Sequence, residues 1–186
     1  NGDSNTLEPL LAESWEISED GMQITFNLRQ GVKFHNGETM TAEDVVFSFN
    51  RAIESPVTAT VTSTMDHMEY VDEYTCVLHM KHPYLPVLNC IACPTLAIVS
   101  KKAVEDCEAQ GIDFARNPCG TNGYKFVSWE SGDRITLERF DDYWRDPAPC
   151  SQFIFRIITG STTGGIALEQ GEIDILYSPA RSDKDH

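Results

Sequence analysis

The cysteine spacing most often associated with chemistry is the CxxC motif Cys90-Ile91-Ala92-Cys93. Such pairs carry out thiol–disulfide exchange or supply half of a zinc site. No second CxxC or close Cys/His pair offers the remaining zinc ligands, and prolines surround the motif where a redox helix would have to begin. We therefore expect buried thiols or one to two structural disulfides, with Cys93–Cys119 as the pair to test. The six cysteines are Cys76, Cys90, Cys93, Cys107, Cys119 and Cys150.

The histidines do not form a catalytic or metal-binding pattern along the chain. His79 and His82 straddle the end of a predicted strand, and no acid or thiol is fixed beside them by local spacing. Solvated or hydrogen-bonded imidazoles are the expected state. The chain lacks a GxSxG elbow, an HExxH helix and a glycine-rich phosphate loop followed by lysine. The stretch 160–165 is glycine-bearing but has no lysine, which favours a plain turn over an anion site.

Carboxylate pairs are numerous because the chain is acidic, and each has a structural explanation. Glu43 and Asp44 fit the first turn of a helix, and Asp141 with Asp142 fits a solvated turn. Three tryptophans could line a cleft, although core packing is the more common role of such side chains. They are Trp15, Trp129 and Trp144. We predict no catalytic residue, no metal ligand and no cofactor.

The charge balance excludes two classes of partner. The formal charge is −15, from 29 acidic and 14 basic residues. A surface this negative repels nucleic acid and anionic lipid. The apolar share of 41% and aromatic share of 10% indicate a folded domain. The longest apolar run, 85–99, is interrupted by two prolines and an asparagine and is too broken to span a bilayer.

Hydrophobic periodicity predicts hairpins separated by a few helices, an α+β class with mixed sheets. Alternating apolar residues predict strands at 22–28 and 74–80 and a hairpin over 124–139, with apolar strands at 153–158 and 173–176. Thr41 is a good N-cap for a helix that ends at Pro56. Ser100 begins a short helix, and a weak one follows over 161–170. The stretch 57–64 reads as a connection without a clear period.

Four separated blocks resemble the extracellular solute-binding proteins of family 5. In chain order they read LLAESWEISEDGMQITFNLRQGVKFHNGETMTAEDVVFSFNRAIESP, VDEYTCVLHMKHPY, NPCGTNGYKFVSWESGDRITLERFDDYW and ALEQGEIDIL. Together they cover roughly residues 7 to 177 in the family's order. Members of this family serve ABC importers of oligopeptides, dipeptides and nickel complexes. The resemblance thus implies a transport receptor that performs no catalysis.

The resemblance also implies a domain organisation. Family members have a periplasmic-binding-protein-like II fold, in which two lobes close on a ligand about a hinge. Residues 1–150 are expected to form the accessory subdomain, and 151–186 the start of the return into the first lobe. The second lobe, which in peptide-binding relatives holds the residue that binds the peptide's amino terminus, is expected to lie outside this sequence.

The segment after the first long helix is the stretch that the resemblance places near ligand. In peptide-binding relatives a tyrosine in that region touches ligand, and Val57 is its counterpart here. The expected ligand-proximal residues are Ser55, Val57, Thr58 and Ala59. A Thr121-Asn122-Gly123 turn, shared with some peptide-binding relatives, favours a peptide over a nickel complex or haem, the alternatives within the family.

The resemblance also predicts partners and location. The expected partners are a peptide or similar small solute and the permease subunits of an ABC importer, with a monomeric receptor. The expected location is the periplasm or the outer face of the cytoplasmic membrane, where a lipid anchor would hold some full-length members. A regulatory protein that senses solute through this domain is the remaining alternative.

Overall fold

A computed structural model describes residues 7–177, which form two antiparallel sheets and five α-helices. The strands are β1 (Ala12–Ile17), β2 (Gln23–Leu28), β3 (Met65–Asp72), β4 (Thr75–Met80), β5 (Tyr124–Glu130), β6 (Arg134–Arg139) and β7 (Gln152–Arg156). The helices are α1 (Ala42–Glu54), α2 (Ala59–Thr62), α3 (Val87–Ile91), α4 (Lys101–Gln110) and α5 (Ser161–Glu169). Short 3₁₀ turns lie at Pro94–Leu96 and Phe114–Arg116. The α+β class is confirmed, and every pairing between described strands is antiparallel.

The first sheet has the strand order β1-β2-β4-β3 and carries the core. Its two central strands confirm the predicted alternation: Ile24, Phe26 and Leu28 are buried on β2, and Cys76, Leu78 and Met80 on β4. Successive side chains of a strand point to opposite faces, so this period of two gives the sheet one apolar face. Helix α1 packs on that face through residues that include Val45 and Phe49.

Helix α1 also binds the backbone of three neighbouring segments through polar side chains. The Asp44 carboxylate accepts from Thr41 N–H at 3.1 Å, as in a capping box, and from Lys101 N–H at 3.0 Å. Ser48 Oγ donates to the Val99 carbonyl at 3.2 Å and accepts from Val99 N–H at 3.0 Å. Asn50 forms a similar pair with edge strand β3. The predicted start at Thr41 is therefore correct, and α1 fixes the surrounding chain as well as covering the core.

Strand β3 and the stretch before it were not predicted from the sequence. The predicted connection over 57–64 contains the short helix α2, and β3 begins at Met65 directly after it. Irregularities between Met65 and His67 and between Tyr70 and Asp72 break the alternation of β3. A β-bulge adds one residue to one strand and so shifts the side chains beyond it to the opposite face. That shift hides β3 from a search for period two.

The second sheet has the order β5-β6-β7 and no deep core of its own. Within residues 7–177, no side chain of these three strands is fully buried, and Val127, Ile154 and Phe155 are exposed. The predicted hairpin over 124–139 is confirmed. Because β7 pairs with β6, the sheet continues past residue 150, where the sequence placed a boundary between subdomains. That division remains a prediction.

The predicted strand at Ile173–Leu176 is wrong, because those residues have no regular secondary structure. A strand needs a neighbour to accept its backbone hydrogen bonds. Neither sheet offers Ile173–Leu176 such a neighbour within the described part of the chain. Among residues 7–177, no helix is both long enough and apolar enough to cross a bilayer.

His35, in the loop after β2, contacts the loop that precedes β5 and so links the two sheets. Its Nε2 lies 2.9 Å from the Asn122 carbonyl oxygen, and Gly120 N–H donates to its Nδ1 at 3.4 Å. The neutral tautomer with the proton on Nε2 satisfies both contacts. Its ring also meets Phe140 edge-on, at 5.2 Å between centroids. Nearby, Lys33 Nζ lies 2.9 Å from an Asp142 carboxylate oxygen.

We expect His35 to make the protein less stable at mildly acidic pH. Burial lowers the pKa of His35 below its ordinary value of 6.5. The unfolded chain then binds more protons than the folded one, so stability is fully present above about pH 6.5 and is lost as pH falls toward the lower folded pKa. Between about pH 7 and pH 5, the free energy of unfolding should fall more steeply in the wild type than in His35→Gln. Urea titrations at several pH values measure this, and equal slopes would contradict it.

Candidate functional site

The predicted ligand-proximal residues form a hydrogen-bonded corner between α1 and α2. Ser55 caps the end of α1 and donates its backbone N–H to the Ala52 carbonyl at 3.2 Å. The Thr58 hydroxyl lies against the carbonyl oxygens of Ala52 and Ser55. Thr62, which is buried, donates its hydroxyl to the Thr58 carbonyl at 3.1 Å. The Ser55 and Thr58 side chains are thus used to hold the corner.

The corner presents Val57 and Ala59 to solvent. Val57 is 89% exposed. Val57 N–H donates to Ser55 Oγ at 3.3 Å, so the backbone beneath the side chain is fixed. Leu85 is another strongly exposed apolar side chain, at 93%, and lies in the loop that leads to α3. Helix α3 contacts α2. The corner therefore presents the apolar side chains of Val57 and Ala59 on a backbone that is held by internal hydrogen bonds.

A separate apolar cavity of about 340 Å³ lies between the first sheet, α1 and α3. Trp15 and Glu8 are among its lining residues, and almost all the others are aliphatic or aromatic. Recognition of a peptide backbone requires donors and acceptors that converge on the ligand. This cavity supplies few of them, so it resembles a packing surface more than a solute site.

The cysteines differ sharply in their environment, and all six are free thiols in the structure. The Cys93–Cys119 pairing remains a prediction. Burial raises the pKa of Cys76 to about 12 and also raises that of Cys119. A hydrogen bond from Thr95 Oγ1 at 3.3 Å lowers the pKa of Cys93. Of these three thiols, Cys93 is the one whose pKa is shifted toward the thiolate form.

The tryptophans are divided between core and surface. Trp15 lines the apolar cavity and is half-buried. Trp144 packs against the core, and the Arg29 guanidinium lies 4.9 Å from its ring centroid. Trp129 is more exposed and lies under Arg116 at 3.7 Å. Each of the last two rings is therefore covered on one face by a guanidinium group, a contact that contributes to stability.

The structure places His79 beside two residues that the sequence reasoning did not connect with it. His67 and Glu69 of β3 lie next to His79 of β4, and their ligand atoms are all within 4.8 Å of one another. His82 lies in the following loop and is not part of the group. Cross-strand pairing joins residues 12 positions apart, so the local spacing that we searched could not have revealed it. Because β3 was not predicted as a strand, no pairing of His67 and Glu69 with His79 could be expected from the sequence.

Comparison with known proteins identifies the family. The family model described as bacterial extracellular solute-binding proteins, family 5 (middle), matches residues 6–185. The glutathione-binding protein GsiB of Pectobacterium atrosepticum is 30% identical over 172 residues, which cover 90% of this chain and 33% of that protein. Heme-binding protein A of Haemophilus influenzae is 29% identical over 97% of this chain and 37% of its own length.

A solved structure gives the same result for the fold. The periplasmic binding protein DppA of Helicobacter pylori, in complex with the peptide STSA, superposes with a TM-score of 0.88. It is 31% identical, and the match covers 96% of this chain and 39% of that chain. The present chain thus spans little more than a third of the length of these relatives.

The fold follows from that match. The architecture is part of a periplasmic binding protein type II fold, and the relatives are solute-binding proteins, a family without catalytic activity. The family expected from the sequence is confirmed. Because the family model matches residues 6–185, the chain belongs to the bacterial extracellular solute-binding proteins of family 5.

Proposed function

We propose that the full-length protein is the substrate-binding component of an ABC importer and that its solute is an oligopeptide or dipeptide. The observation that carries the proposal is the likeness to DppA, whose solved structure holds the peptide STSA, over 96% of this chain. The similarity to a glutathione-binding protein points to the same class, since glutathione is a small peptide. The receptor would act as a monomer outside the cytoplasmic membrane and deliver its solute to permease subunits.

The corner between α1 and α2 is the proposed ligand-facing surface of this chain. Val57 is held outward by a backbone whose hydrogen bonds are made within the corner. An apolar side chain that is 89% exposed contributes little to the stability of this part alone. Its burial would instead accompany closure of a second lobe over a bound solute.

The exposed side chains of the second sheet support the proposal that a further part of the protein packs against it. Val127, Ile154 and Phe155 are exposed on strands that have no fully buried side chain among residues 7–177. Ile154 and Phe155 are consecutive residues of β7 and point to opposite faces, so apolar side chains are left uncovered on both sides of this sheet. In the proposal, the remainder of the protein covers these strands, and the grip on solute lies between lobes that this chain does not both contain.

Calorimetric titration with a peptide library tests the proposal. We expect the full-length protein to bind peptides and the 186-residue chain to show no measurable heat of binding, because half of a two-lobed trap cannot bury a ligand. Tight binding by the chain alone would contradict the two-lobed arrangement. Binding of haem or a nickel complex by the full-length protein, without peptide binding, would overturn the peptide assignment; the haem-binding relative makes this the second candidate.

Val57→Asp in the full-length protein tests the ligand-facing corner separately. A carboxylate at the apolar contact should weaken peptide binding by at least about tenfold, which corresponds to about 1.4 kcal/mol. Val71→Asp is the matched control, because Val71 is also exposed and lies at the far end of β3. Equal affinities in the two variants would exclude Val57 from the binding surface.

A further inference from the structure

The outer face of the first sheet brings together two imidazoles and a carboxylate. In the register of β3 and β4, His67 lies directly opposite His79. Glu69 follows His67 by two residues and so projects from the same face of the sheet. His67 and Glu69 are exposed, and His79 is half-buried. The three ligand atoms lie within 4.8 Å of one another.

The irregularity at the start of β3 creates this arrangement. Met65 is buried opposite Met80, and His67 is exposed opposite His79, although residues two apart in a regular strand share a face. Asp66 is the extra residue that reverses the alternation. In a regular strand with Asp66 as a paired residue, His67 would lie on the same face as Met65 and point toward the core. The bulge therefore keeps Met65 in the core and places an imidazole beside His79.

The group is held together by a hydrogen bond and by ring stacking, and a further carboxylate supports it. His79 Nε2 lies 2.6 Å from Glu69 Oε2. The His67 and His79 rings stack with 4.4 Å between centroids and 6° between planes. Asp66 Oδ2 lies 2.9 Å from His67 Nδ1, and a carboxylate in that position fixes the tautomer of a metal-binding imidazole.

From this geometry we infer that His67, Glu69 and His79 bind a divalent transition-metal ion, for which Zn²⁺ is the probe. Two imidazoles and one carboxylate suit ions such as Zn²⁺, Ni²⁺ and Cu²⁺, whereas Ca²⁺ and Mg²⁺ prefer oxygen ligands alone. The net charge of −15 further favours a cation. A surface ion pair between His79 and Glu69 would not require the second ring to stack against the first.

The ion would join the edge strand to its neighbour. His67 and Glu69 belong to β3, which lies at the edge of the sheet, and His79 belongs to β4. An ion that binds the folded chain more tightly than the unfolded one raises its stability. The site is distinct from the corner at Val57 and needs no bound solute, so its test is independent of the proposed transport function.

Calorimetric titration of the chain with ZnCl₂, together with thermal unfolding, tests the assignment. We expect saturable binding of about one zinc ion per chain and a rise in the Tm of the protein when zinc is added. His67→Ala and His79→Ala should each weaken zinc binding by at least about tenfold, because loss of a mere supporting residue behind a ligand already costs about that much. Both positions face solvent in full or in part, so the variants should remain folded; circular dichroism verifies this.

Two variants separate this site from other zinc ligands. His82→Ala removes an exposed histidine outside the group and should leave zinc affinity unchanged. The double variant Cys90→Ser/Cys93→Ser removes the CxxC thiols and should also retain binding. Loss of binding in the cysteine variant with retention in the histidine variants would assign zinc to the thiols and overturn the proposal. Absence of binding by the wild type at millimolar zinc would overturn it as well.

Discussion

Replacing Phe34 by alanine is expected to lower the free energy of unfolding by about 3–5 kcal/mol. Phe34 has 0% exposure and is the largest fully buried side chain of the described residues. Its removal loses the transfer free energy of the ring and leaves a cavity that the surrounding core can fill only in part. Since folded domains are stable by about 5–15 kcal/mol, the variant should lose a large share of its stability.

Urea unfolding of the wild type and Phe34→Ala measures this loss as a shift of the midpoint. Phe155→Ala is the matched control, because it removes the same ring from β7, where the side chain is 52% exposed. Its cost should be about 1 kcal/mol or less. If the two variants lose equal stability, the core does not lie where the structure places it.

Asn50→Asp is expected to cost about 2–4 kcal/mol, although the side chain keeps its shape. Asn50 Nδ2 donates to the Met68 carbonyl at 3.0 Å, and Asn50 Oδ1 accepts from Met68 N–H at 2.8 Å. An aspartate retains the acceptor and loses the donor, so one carboxylate oxygen faces the Met68 carbonyl at hydrogen-bond distance. Met68 is buried, and its unpaired carbonyl cannot turn to water for compensation.

The control for Asn50→Asp is Asn27→Asp, which adds the same charge to an already acidic chain. Asn27 is exposed on β2, and its Nδ2 donates to Ser14 Oγ at 3.0 Å. A surface change of this kind should alter the free energy of unfolding by less than about 0.5 kcal/mol. A similar loss in both variants would mean that added charge, rather than the backbone contact of Asn50, determines the result.

Sequence patterns predicted the parts of the fold that rest on local regularity. The alternation of Ile24, Phe26 and Leu28 and the N-cap at Thr41 were sufficient for β2 and α1, because side-chain direction and capping follow from neighbouring residues. Strand β3 was missed because its bulges interrupt the period. The segment at Ile173 was assigned to a strand from composition, which cannot show whether a pairing partner exists.

The candidate sites depend on information that is not local. The resemblance to family 5 located the corner at Ser55–Ala59. Only the structure shows that the Thr58 hydroxyl contacts carbonyl oxygens within the corner and that Val57 faces outward. The group around His79 depends on strand register, which brings residues of β3 and β4 together. Register is set by the whole hydrophobic pattern and by bulges, so a single motif cannot reveal it.

The uneven burial of the two sheets has a consequence for how this chain denatures. The first sheet contributes most of the buried core, whereas β5, β6 and β7 contain no fully buried residue among 7–177. Cooperativity depends on shared buried contacts, so the second sheet should open at lower free energy than the first. Fluorescence from Trp15, which packs against the first sheet's core, then reports the global transition, while Trp129 on β5 reports an earlier, partial one.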